Sequence, residues 1–147
     1  VAVRVVDVEG DGPGFVRALE RADVHAVEVS ASGIAAAVAD SDVVVLDIAA
    51  ACSGSALVAC GSWAAAAVAR AAGVEVWAVA GTGRLVPDGM WPALTGRLAG
   101  AATAPWDRDH DHLPLNLVDR LVGPSGPEPV VDGLRRVDTP DAAELRR

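Results

Sequence analysis

The stretch Asp42 to Arg84, DVVVLDIAAACSGSALVACGSWAAAAVARAAGVEVWAVAGTGR, decides the fold. Val43-Val44-Val45-Leu46 is a short, branched apolar run, the pattern of a strand buried on both faces. A loop with Ser53-Gly54-Ser55 follows. Gly61-Ser62 then lead into Trp63 to Ala72, where alanine, the best helix former, dominates. Gly73 ends that helix. Val74 to Val79 is a second strand, and Gly81-Thr82-Gly83-Arg84 is a glycine loop at its C-terminal end. Strand, helix and strand in about thirty residues make a βαβ unit, with parallel strands and a right-handed crossover. Ligands of such sheets bind at the C-terminal ends of the strands, which here carry Asp47, Ser53 to Ser55 and Gly81 to Arg84.

Toward the N-terminus, Val1 to Val8 reads as a central strand and Gly10 to Gly14 as a tight turn. Phe15 to Ala22 reads as a helix, His25 to Ser30 as the second strand, and Gly33 to Asp40 as a short helix. The first turn invites comparison with the dinucleotide fingerprint, with Glu28 at the end of the next strand. The pattern G-x-G-x-x-G needs glycine where Phe15 stands, so a plain glycine-rich connection is the better reading. Toward the C-terminus, Met90 to Leu98 can form an amphipathic helix. Strands alternating with helices predict an α/β fold: a parallel Rossmann-like sheet with helices on both faces.

From Gly100 the character changes. Ala101 to Pro114 reads as a loop, and Asp107-Arg108-Asp109-His110-Asp111-His112 could bind a transition metal. A solvated acidic loop is the commoner explanation, since no second cluster supplies fixed partners. Leu113 to Val122 is a short apolar segment. The remainder holds Pro124, Pro127, Pro129 and Pro140, which divides the chain into a domain over 1–123 and a proline-rich tail over 124–147. The tail is expected to lie over the domain or along a partner, with Asp141 to Arg147 a terminal helix or a frayed end.

The chain has 147 residues, enough for one domain with a real core. Hydrophobic residues make up 52%, which excludes disorder as the main state. No uninterrupted apolar run is long enough for a membrane span, and Val1 to Val6 lacks the h-region of a signal peptide. The chain opens on Val rather than Met, as a processed end, an alternative start or a cut from something longer would. Twenty acidic residues face 12 basic ones, all of them arginine, for a net charge of −8. That balance disfavours non-specific nucleic-acid binding. It suits solubility at high salt, a haloarchaeal type of composition, although a genome rich in G and C also favours arginine and alanine. Cys52 and Cys60 have neither zinc nor redox spacing. They read as small apolar fillers of a reduced, cytoplasmic protein.

Four features together resemble the C-terminal Rossmann-like domain of the translation initiation factor 2B α/β/δ subunit family. They are the strand VVVLD entering a loop with Ser53-Gly54-Ser55-Ala56-Leu57-Val58, Gly61-Ser62 opening an alanine-rich helix, the segment Ala72 to Trp77, and the late segment Pro114 to Val122. That family is similar in fold to the isomerases of ribose 1,5-bisphosphate and methylthioribose 1-phosphate. The resemblance implies a three-layer, NagB/RpiA/CoA-transferase-like architecture, no cofactor, and a homo-oligomer or a related subunit as partner. It also implies a phosphorylated small molecule held by Ser53, Gly54, Gly61, Ser62, Gly81, Thr82, Gly83 and Arg84.

The catalytic positions of the isomerases are not matched. Their cysteine lies before this domain's first strand, and Cys52 and Cys60 stand elsewhere. Placing Gly61 on the family's Gly-Thr sets Ile48 where the acid/base aspartate belongs. Asp47 is then one residue early, which in a strand means the opposite face. The Asn-Lys pair that helps hold substrate becomes Val58-Ala59, which lack side-chain donors. The arginine expected after the first strand falls near Glu9. Three readings follow. A non-catalytic binding or assembly domain has its apolar helix faces, Trp91 and Trp106 available to an interface. A surviving sugar-phosphate isomerase would use Asp47 as base and Arg84 on the phosphate. A nucleotide- or phosphate-binding regulatory module would need the glycine loops alone.

Overall fold

The fold, taken from a computed structural model, is described for residues 1–8, 10–99 and 104–146. The Glu9 position and residues 101–103 of the expected loop lie outside the described residues. The N-terminal unit is β1 (Ala2–Asp7), α1 (Gly12–Arg21) and β2 (His25–Ser30), with β1 and β2 parallel from Ala2 opposite His25 to Asp7 opposite Ser30. A 3₁₀ turn (Ala31–Gly33) leads into α2 (Ile34–Ala39). Then come β3 (Val43–Ala51), β4 (Ser55–Ala59), α3 (Ser62–Ala72), β5 (Glu75–Val79), α4 (Trp91–Ala99), β6 (His110–Pro114), β7 (Arg120–Gly123), β8 (Gly126–Pro129) and α5 (Val130–Gly133).

The expected βαβ unit is present. β3 and β5 pair in parallel from Val43 opposite Glu75 to Asp47 opposite Val79, with α3 between them in the chain. Alanines at 65, 66 and 69 form the buried stripe of α3, spaced as one helical face. Gly73, at φ 74°, supplies the left-handed stop. Together with β7, these parallel strands form the Rossmann-like centre, and helices flank the sheet.

Antiparallel strands extend this centre. β4 folds back on β3 as a hairpin, β6 pairs with β4, and β8 pairs with β7, giving the order β6-β4-β3-β5-β7-β8. Two segments expected to be loops are therefore strands. Ser55–Ala59 was hidden by its alanines and serine, which are poor strand formers. His110–Pro114 was hidden by its charges, and its backbone groups find partners on β4. Within the proline-rich segment, β8 extends the sheet on β7, and α5 rests on β7 so closely that a Cβ on Gly133 would sit 2.5 Å from the buried Leu121 side chain.

Two further expectations are corrected. β3 is buried on one face only. Val44, Leu46 and Ile48 enter the core, while Val43, Val45 and Asp47 alternate outward. β1 is not central: it pairs with β2 alone, as a separate two-stranded sheet. The N-terminal unit is tied to the rest through Arg4, whose guanidinium binds the backbone and carboxylate of Asp40 and the Ser41 hydroxyl. The core cluster of Ile48, Val58, Ala66, Ala69, Val76, Leu113 and Leu121 draws no residue from β1 or β2.

Candidate functional site

A cavity of about 620 Å³ separates β1 from the first half of β3. Its origin is in the pairing. Over Val43 to Asp47, β3 uses one edge on β5, and its other edge meets β4 only from Ile48 onward. Asp7, Asp11 and Asp47 line the cavity with apolar side chains around them. The start of α3 closes one wall, and Gly61 there has φ +87°, a left-handed conformation that favours glycine. A Cβ at Gly61 would meet Val8 and Ile34 at 3.5 and 3.8 Å, so this turn abuts α2 and the residue that follows β1.

Asp47, Gly61 and Ser62 share this cavity, whereas Ser53, Gly54 and Gly81 to Arg84 do not line it. Arg84 nevertheless reaches Asp47. Residues 84–86 run beside Ala51, with Ala51 N–H donating to the Arg84 carbonyl and Val86 N–H to the Ala51 carbonyl, each at 2.8 Å. From there Arg84 Nη1 donates to Asp47 Oδ2 at 2.9 Å and also to the Ile48 carbonyl. The two side chains that a phosphosugar reading would set apart, base and phosphate clamp, are in direct contact. The Asp47 side chain is 73% exposed and that of Arg84 40%, so the pair is a surface ion pair of modest strength.

Two of the other predicted anion-binding positions, Gly83 and Ser53, are also engaged by aspartates. Gly83 N–H donates to Asp138 Oδ2 at 2.7 Å, and Thr139 Oγ1 donates to the Gly83 carbonyl at 3.1 Å. Ser53 donates twice to Asp88, through its N–H at 2.9 Å and its hydroxyl at 2.7 Å. Those two bonds, the backbone one first, hold the Asp88 carboxyl below its ordinary range. At the start of α3, Trp63 N–H donates to Asp111 Oδ2 at 3.0 Å. A carboxylate from β6 thus does the capping that Gly61, without a side chain, cannot. Thr82 and Gly54 are exposed.

Asp88, Asp111 and Asp138 were not singled out for these roles from the sequence, because they lie 35, 48 and 55 residues from their donors. Strand periodicity separates the acid-and-histidine run instead of gathering it. Asp111 turns to α3, and the His112 ring meets Trp91 edge-on at 6.2 Å between centroids. Among the described residues no three His, Cys, Asp or Glu side chains converge as a metal site would require. Cys52 is buried as a filler would be, whereas Cys60 is half-buried on the cavity wall. Val58, at the position of the isomerases' polar pair, is fully buried in β4. Trp106 is 83% exposed. No helix among the described residues is long and apolar enough to cross a membrane.

No family model and no curated protein matches the chain. Solved structures do match in fold. eIF2B beta from Chaetomium thermophilum superposes with a TM-score of 0.70 at 20% identity, over 99% of this chain and 44% of that one. A tetrameric eIF2B-beta2-delta2 complex from C. thermophilum gives 0.67 at 21%, over 88% and 44%. 5-Methylthioribose 1-phosphate isomerase from Pyrococcus horikoshii OT3 gives 0.70 at 14%, over 92% and 45%. The chain spans a little under half the length of these proteins. Its fold is the one shared by the initiation factor 2B subunits and the methylthioribose-phosphate isomerase, the two groups that its sequence resembles.

Proposed function

We propose that this domain binds and assembles without catalysing: an initiation factor 2B-like module that keeps the isomerase scaffold around a degenerate site. One observation carries the reading. The anion-holding groups at Arg84, Gly83, Ser53 and the first turn of α3 are each engaged by a carboxylate of the chain itself: Asp47, Asp138, Asp88 and Asp111. A phosphate would have to displace those carboxylates or sit beside them, and like charges at such range repel. Aldose–ketose isomerisation needs a base aimed at the substrate carbon. Asp47 is instead in contact with Arg84.

The partners this reading implies are further copies or related subunits, in a salt-rich cytoplasm where the acidic surface keeps the protein dispersed. The alternative is a phosphate-binding regulatory module. It is favoured by the same donors, which would become available if the Asp138 segment lifted from Gly83. Calorimetric titration with ribose 1,5-bisphosphate, methylthioribose 1-phosphate and nucleoside monophosphates, followed by NMR for product, separates the readings. Neither heat nor product is expected. Heat without product transfers the assignment to the regulatory module, and product overturns it in favour of an isomerase.

A further inference from the structure

We infer that the cavity between β1 and β3 is a binding site for an uncharged aromatic small molecule. The inference goes beyond the reading of a non-catalytic binding domain and does not rest on it. The first observation is size and place. At about 620 Å³ the cavity falls within the range of small-ligand sites, about 300–1,000 Å³. It opens where the chain's connections part: β1 runs through α1 to β2 on its far side, and β3 runs through α3 to β5 on its own. Sheets built from βα units hold ligands where such connections diverge.

The second observation is the wall. Phe15, the chain's one phenylalanine, is 56% exposed and lines the cavity, as do Val8 and Val45 at 45% and 59%. An aromatic ring held here would stack on Phe15 and cover apolar surface that is otherwise left to water. Hydrogen-bonding capacity comes from the backbone. Arg4 to Val8 and Val43 to Asp47 line the cavity without a break. Consecutive strand side chains point to opposite faces, so both strands turn an edge to the cavity. Neither edge makes a strand pairing there among the described residues. Free N–H and C=O groups of that kind suit a neutral heteroatom on the ligand.

The third observation sets the ligand's charge. Of the four charged residues on the wall, three have partners within the chain: Arg4 on Asp40, Asp47 on Arg84, and Asp7 accepting from the Gly10 N–H at 2.8 Å. The fourth, Asp11, is exposed at the start of α1. An anion would meet three carboxylates at close range. A cation would have to compete for two of them with partners already in place. A neutral ligand is the class that displaces nothing.

The test compares two probes that share one aromatic frame. N-phenyl-1-naphthylamine is neutral, and 8-anilinonaphthalene-1-sulfonate is the same frame carrying a sulfonate. Fluorescence titration of the full chain should show saturable binding of the neutral probe. The sulfonate should bind about tenfold more weakly or worse. The bound neutral probe should also slow alkylation by N-ethylmaleimide of Cys60, which lies half-buried on the same wall. Phe15→Ala, at an exposed helix position, should weaken binding about fivefold. Val45→Glu, on the exposed face of β3, should weaken it about tenfold or more. Three results would each overturn the site: a neutral probe that does not saturate, a sulfonate that binds as tightly, or binding that survives both substitutions and leaves Cys60 alkylation unchanged. None of these depends on the phosphosugar titration, so this inference and the assignment of function can fail separately.

Discussion

The two halves of the molecule are built from the same βα units but hold together differently. In the six-stranded sheet, β3, β4, β5 and β7 are paired on both sides, and Ile48, Leu113 and Ala69 are sealed from solvent. In the N-terminal unit β1 and β2 pair only with each other, and Ala26 is the buried apolar side chain that β2 contributes. One strand, β3, belongs to both environments. Its Val44–Leu46–Ile48 face is core, and its Val43–Val45–Asp47 face looks outward. The comparison teaches that the sealed core lies in one half, while the strands of the other contribute no residue to it.

The largest effect that could break this contrast lies in the core. Ile48→Ala removes a fully buried side chain where β3, β4 and α3 meet and should cost about 2–5 kcal/mol. Chemical denaturation measures it, and a loss below about 1 kcal/mol would mean that the six-stranded half is not the stable one. A smaller effect is expected at the tie between the halves. Arg4→Ala removes a partly exposed ion pair and should change global stability by no more than about 1 kcal/mol. Amide exchange in β1 and β2 should accelerate while that in β5 stays unchanged. Equal acceleration in both would show a single cooperative unit.

The smallest effect concerns acid. Ser53 holds the Asp88 carboxyl below its ordinary value. The stabilisation is therefore fully present above the pKa of the unfolded chain, near 3.8, and is lost as pH falls through the lower folded value. Carboxyl titration by NMR should place Asp88 below the usual range. Ser53→Ala, which keeps the larger backbone contribution, should raise it part of the way. An unshifted Asp88 in the parent protein would remove the anchor between the β3–β4 turn and the segment before α4.

The parts legible in the sequence were those written in contiguous residues. The branched run at Val43, the alanines of α3, the glycine stop at Gly73 and the parallel return in β5 need only neighbours to be recognised, and they stand as read. The strand β4 was missed because Ser-Ala-Leu-Val-Ala has no strong strand preference. The strand β6 was missed because acid and histidine side chains read as solvated loop. Each is a strand because the other lies beside it. The one-sided burial of β3 was also invisible, since four apolar residues in a row do not say which face will be covered.

By itself the sequence determined the α/β alternation, the acidic surface, and the absence of polar side chains at Val58 and Ala59. Only the tertiary structure decided where the charges went. Asp47 on Arg84, Asp88 on Ser53, Asp111 on the first turn of α3 and Asp138 on Gly83 each join residues 35 to 55 positions apart. The physical reason is range. Periodicity and capping act over a few residues and leave a signature in order. An ion pair or a borrowed cap depends on which segments packing brings together, and a lone aspartate reads the same before and after.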